Sequence, residues 1–229
     1  MNRQITLKKM QSGFTLVEIA IVLVIIGLLL GGVLKGTELI EGAKVKRAVN
    51  EMNGVVAALY AYQDRYQRLP GDDGPLATLT ARGGPWTTVT QAGNPINGVL
   101  LVPLNQTFNP VNEHLAFWQH LRAAGFINGN PAALPADTLP RNAFGGLLGV
   151  TTQNVGGPAG NQIAGRLICS SQVPGKSAAA IDTQVDDGNG NTGKIRATVA
   201  VAGANTNPLA TPLAAPYNES SVYTICMQM

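Results

Sequence analysis

The sequence predicts an α+β chain: one long N-terminal helix, transmembrane in its first half and amphipathic in its second, packed on a small antiparallel-sheet head. Three observations carry this. No proline occurs from Phe14 to Arg68, and apolar residues fill that stretch first as a solid run and then as a helical stripe. At Pro70 the texture changes to a turn-rich mixture of Gly, Pro, Asn and Thr. The last hundred residues hold short β-prone runs, GLLGV, GRLICS, KIRATVAVA and SVYTICM, each bounded by Gly, Asn or Pro.

The run from Ile19 to Leu34 is 16 consecutive apolar or glycine residues. With Phe14 to Val17 it approaches the ~20 residues that cross a bilayer. Glu18 is the single ionisable residue inside. A carboxylate at mid-membrane costs roughly 2.5–3.5 kcal/mol, so such a group is usually partnered; alternatively Glu18 lies near the end of the span, where it reaches headgroups at little cost. The preceding MNRQITLKKMQSG carries Arg3, Lys8 and Lys9 and no acid, which sets it in the cytoplasm and the bulk of the chain across the membrane. No A-x-A-like cleavage site follows the apolar run. A cut after Gly13 would instead keep the anchor and create a new amine on Phe14, four residues from Glu18.

G-F-T-L-V-E followed by an apolar helix resembles the class III signal of type IV pilins and type II secretion pseudopilins. The resemblance covers residues 8 to about 68 and implies four segments: a leader, 1–13, that is removed; a transmembrane and filament-core helix, 14–36; an amphipathic stem helix, 37–68; and a globular α+β head, 69–229. It implies that a prepilin peptidase cuts between Gly13 and Phe14 and methylates Phe14. It also implies that Glu18, fifth in the processed chain, faces the terminal amine of a neighbouring subunit during assembly. The partners implied are further copies of the chain, other pilins, the peptidase and an inner-membrane assembly platform. The location implied is the inner membrane, single-pass with the head in the periplasm, and then a pilus or pseudopilus.

Composition agrees with an exported, loop-rich head: 13% charged, 5% aromatic, 27 Gly and 14 Pro in 229 residues. The formal charge of +3 belongs to Arg3, Lys8 and Lys9. Of the 16 Lys and Arg, 13 remain after the leader, against 13 Asp and Glu. Charge therefore gives no indication of nucleic-acid binding.

In the stem, Leu39, Ile40, Ala43, Val45, Val49, Met52, Val55, Val56, Leu59, Tyr60 and Tyr62 recur at steps of three and four, so one helix of roughly 50 residues is expected, ended by Leu69-Pro70-Gly71. Gly27-x-x-x-Gly31 and Gly32-x-x-x-Gly36 fit close helix packing, although small residues are common in membrane helices generally. Where many pilins have a helix-kinking proline this chain has Lys35, and any unwinding on assembly is expected at Gly31 to Gly36.

TTVT and GVLLV read as short β-prone pieces in the segment connecting stem to sheet, and Trp86 reads as packing. Val111 to Gly125 is a second helix with Asn112 as N-cap. His114 and His120 do not share a face and read as surface or capping residues. Lys176 to Val185 reads as a short helix. Cys169 and Cys226, the only two cysteines, suggest one disulfide closing a loop worth on the order of 4 kcal/mol, with two buried thiols as the alternative. In the resembled family a disulfide often staples this part of the head. Asp186, Asp187, Asn189 and Asn191 are spaced as a calcium loop could be, or as a tight turn is; some pseudopilins bind calcium in this part of the head. No cofactor is required by the reading. No Ser-His-Asp set, phosphate loop or metal-ligand spacing points to catalysis, and enzyme activity is not expected.

Overall fold

The computed structural model describes residues 15–157, 161–211 and 216–229. Gly13 and Phe14, the expected cleavage and methylation positions, lie outside the described residues. The chain forms two compact units, 1–41 and 42–229. The long helix α1, Leu16–Tyr66, runs through the boundary between them.

In the first unit every residue from Thr15 to Lys35 is exposed, including Leu16 at 90% and Leu28 at 73%. Branched and straight-chain apolar residues with no proline keep the segment helical, but nothing among the described residues covers it.

In the second unit α1 buries Val45, Ala48, Val49, Met52, Val55, Ala58, Leu59 and Tyr62. This face is narrower than the stripe read from sequence: Tyr60 is 50% exposed, because two residues from Tyr62 at 3.6 per turn it points away from the head. The helix ends before the Pro70 break, where Gln67 takes a left-handed conformation (φ 54°) and donates its N–H to Gln63 O.

Four strands, β1 (Leu148–Thr151), β2 (Leu167–Pro174), β3 (Ile195–Ala200) and β4 (Val222–Gln228), make an antiparallel sheet of order β1-β2-β4-β3. All four β-prone runs of the C-terminal region therefore contribute a strand. The antiparallel β2–β4 pair sets Cys169 opposite Cys226, and the two are joined by a disulfide with Cα atoms 4.0 Å apart. Around it Val155, Ile163 and Leu167 form a small core separate from the main one. Short helices α2 (Leu76–Thr80), α4 (Pro135–Thr138) and α5 (Gly175–Val185) and α3 (Asn112–Ala123) complete the head.

Two expectations for the connecting segment are corrected. TTVT overlaps a 3-10 turn, Gly84–Thr88, and GVLLV forms no strand. Side chains take the place of a strand partner: Leu101 N–H donates to Glu113 Oε2 at 2.6 Å and Val102 N–H to Thr152 Oγ1 at 2.9 Å. Helix α3 also departs from its reading. Val111 occupies the N-cap without a side-chain cap, while Asn112 opens the helix at φ 49°. His114 and His120 are buried, because the segment after Pro70 folds over the helix face that an amphipathic reading leaves to solvent.

Candidate functional site

At the start of α1, Thr15 and Glu18 close on each other. Thr15 N–H and Thr15 Oγ1 both donate to Glu18 Oε2 at 2.8 Å, and Glu18 N–H donates to Thr15 Oγ1 at 3.3 Å. This is a capping box: the Thr hydroxyl and the Glu three residues later satisfy orphan donors at a helix N-terminus, where negative charge is favoured. Thr15-Leu-Val-Glu18 carries the T-x-x-E spacing in plain sight, but attention to the carboxylate in an apolar run obscures it. The box turns the Glu18 carboxylate back toward the helix start, onto Thr15.

Beyond Glu18 the helix is long and apolar enough to cross a membrane, and its apolar window is wholly uncovered. A Cβ at Gly27, Gly31, Gly32 or Gly36 would meet nothing within 4 Å, so these positions leave grooves open to another helix. Residues 8–34 match the family model described as the prokaryotic N-terminal methylation motif.

The chain carries a class III prepilin signal.

The long apolar helix and the four-stranded antiparallel sheet make a pilin-like α+β architecture. No curated protein matches the chain.

A second cluster lies at the end of α5. Carboxylate oxygens of Asp182, Asp186 and Asp187 come within 4.8 Å of one another. Asp182, one helical turn before Asp186, is absent from the sequence reading because it sits in α5 and not in the turn. Each carboxylate already has protein donors. Asp182 accepts Tyr217 OH at 2.6 Å and Gly188 N–H at 3.2 Å. Asp186 Oδ2 accepts the N–H groups of Lys194 and Ile195. Asp187 accepts Asn189 N–H and the Thr192 hydroxyl. Asn189 Oδ1 accepts Asn191 N–H at 3.2 Å, whereas Asn191 Oδ1 is buried with no hydrogen-bond partner among the described residues. Burial pushes the Asp182 carboxyl above its ordinary range, with Asp187 and Asp186 adding to the effect; Thr192 and Asn189 hold Asp187 below it.

Two histidines in α3 are held neutral. His114 Nδ1–H donates to Gln106 O at 2.8 Å and Nε2 accepts Trp118 Nε1–H at 2.9 Å, the tautomer following from these partners. His120 Nδ1 accepts Gly71 N–H at 3.1 Å and Nε2–H donates to Gln91 O at 3.0 Å. Burial pulls their pKa values down to about 3 and about 4. Every ring nitrogen is spent on structure, which leaves neither histidine free to bind a metal or move a proton.

Proposed function

We propose that the chain is a structural subunit, pilin or minor pilin, of a type IV pilus-like filament. The observation that carries this is the prepilin signal on an uncovered apolar helix. In this reading a prepilin peptidase removes residues 1–13 at the cytoplasmic face of the inner membrane and methylates Phe14, and the head resides in the periplasm until assembly. Hydrocarbon-buried helices then stack in the filament core. The Phe14 ammonium of one subunit and Glu18 of another each cost several kcal/mol alone and far less as a pair, so Glu18 penalises docking out of register. Thr15, by capping the helix with Glu18, orients that carboxylate before the partner arrives. The contact is head-to-tail and does not close on itself, which yields a helical polymer. A role of this kind needs no catalytic group. A monomeric membrane-anchored binding protein remains the weaker reading, since an anchor alone has no use for Glu18.

Replacing Glu18 tests this. Glu18→Ala should stay in the membrane and be lost from the sheared-filament fraction; undiminished incorporation would remove the assembly role.

The acidic cluster supports a second reading, a type II secretion pseudopilin. Three converging carboxylates are a hard-cation donor set, and Asp182, Asp186 and Asp187 would hold calcium, with Asn191 as the further oxygen that the loop spacing offers; Asn189 is committed to its turn. Calcium would supply charge neutralisation there. Added calcium should then raise the melting temperature of the wild type and not of Asp186→Asn; an equal response in both would leave a structural turn.

A further inference from the structure

Asparagine followed by glycine is the least hindered site for backbone attack on a side-chain amide, and the described chain has four such pairs: Asn53-Gly54, Asn97-Gly98, Asn128-Gly129 and Asn189-Gly190. Asn53-Gly54 is locked in α1. The remaining three lie outside helices and strands, and one of them has a chemical environment the others lack.

Asp72, 1% exposed, lies beneath the turn at Asn97. Its Oδ1 accepts Asn97 N–H at 3.0 Å and its Oδ2 accepts Gly98 N–H at 2.6 Å. Asn97 Oδ1 accepts Val99 N–H at 2.9 Å, which fixes the carboxamide with its oxygen on a backbone donor. Gly98 has φ +83° and a Cβ there would meet nothing within 4 Å; Asn97, Gly98 and Val99 are all exposed, so water reaches the turn. A nucleophile N–H on a carboxylate, an electrophilic carbonyl on an N–H and access to water are the parts of an acyl-transfer site.

We propose that Asn97-Gly98 is a self-modifying site, with Asp72 as base and Val99 N–H as oxyanion donor. The Gly98 nitrogen bonds to Asn97 Cγ as its proton passes to Asp72 Oδ2. The Cγ–Nδ2 bond then breaks, and the amide nitrogen leaves as ammonia, taking that proton. Water opens the resulting succinimide at either carbonyl, giving aspartate or isoaspartate at 97. The sum is one water consumed and one ammonia released, with no change of oxidation state. The product sets a second carboxylate beside Asp72, or lengthens the backbone through the former side chain. Either outcome loosens the strap that covers buried Leu100 and Val102 and makes this surface more acidic as the protein ages.

The test is to incubate the full chain at neutral pH, folded and in urea, and to follow Asn97, Asn128 and Asn189 by peptide mass spectrometry with isoaspartate detection. Folded protein should convert Asn97 at least about tenfold faster than Asn128 or Asn189, and about tenfold faster than the same residue in urea, a threshold set below the ~10²–10⁴-fold of well-positioned general bases. Asp72→Asn should bring Asn97 down to the rate of the other two. Should that variant fail to fold, the folded-against-urea comparison in the wild type decides alone. Conversion at Asn97 no faster than at Asn128 and Asn189, or no faster folded than in urea, would overturn the proposal.

Discussion

Trp118 donates its indole N–H to His114 Nε2 at 2.9 Å, one helical turn away inside α3. A proton added to His114 would have to enter at the nitrogen that already faces this donor. His120 has the same difficulty at Nδ1, which faces Gly71 N–H.

Both histidines are therefore neutral in the fold, with pKa values of about 3 and about 4, against the ordinary 6.5. Their contribution to stability is complete above pH 6.5 and falls as the unfolded chain takes up protons that the folded one refuses. Between roughly pH 6 and 4 each histidine should cost about 1.4 kcal/mol per pH unit. Urea midpoints measured against pH should show this slope, and His114→Gln should reduce it by about half, leaving the His120 share. A wild type and variant with parallel profiles would contradict the assignment.

Asp73 ties the end of α1 to the segment that follows. Tyr62 OH donates to Asp73 Oδ2 at 2.7 Å, Arg82 pairs with the same oxygen at 2.8 Å, and Gly74 N–H donates to Oδ1. Burial and then Asp73 push the Tyr62 phenol well above its ordinary pKa. Tyr62→Phe leaves Asp73 with Arg82 and should cost about 1–2 kcal/mol, whereas Asp73→Ala strands a guanidinium and a phenol and should cost about 3–5 kcal/mol. Equal losses in denaturant unfolding would show that the carboxylate is not the centre of the network.

The disulfide crosses two adjacent strands and seals the small core of Val155, Ile163 and Leu167. Its loop spans 57 residues, for which chain entropy gives about 4 kcal/mol. The Cys169→Ala, Cys226→Ala double variant should unfold at a clearly lower temperature than the oxidised wild type, by an amount that reduction of the wild type reproduces.

Gly149 in β1 has no room for a side chain. A Cβ there would fall inside van der Waals contact with Thr107 O and close on Phe108. Gly149→Ala should destabilise the head by about 2–3 kcal/mol through forced displacement of the 104–108 turn, measurable by thermal melting. No loss would mean that this turn is free to move.

Local and periodic features were legible in the sequence. The long helix and the four strands follow from apolar spacing and turn residues, and the Cys169–Cys226 bond from there being two cysteines in a chain that reads as exported. What escaped depends on tertiary neighbours. His114 and His120 looked like surface groups because α3 shows a polar face, but residues 71–108 cover that face and satisfy it with Gln91 O, Gln106 O and Gly71 N–H. GVLLV reads as a strand by composition, yet Asp72, Glu113 and Thr152 occupy its backbone donors. Asp182 joins the acidic turn only because a helix precedes it. The Thr15–Glu18 box, in contrast, was within reach of sequence reasoning.

The proposed filament role requires that this chain be cut after Gly13 and assembled through its first helix. Intact mass and N-terminal sequencing of protein from native membranes and from the sheared-filament fraction test it most directly. A chain beginning at methylated Phe14, with Cys169 and Cys226 oxidised, is the expected species in the sheared fraction. A chain still beginning at Met1, in cells with an active prepilin peptidase, would contradict it.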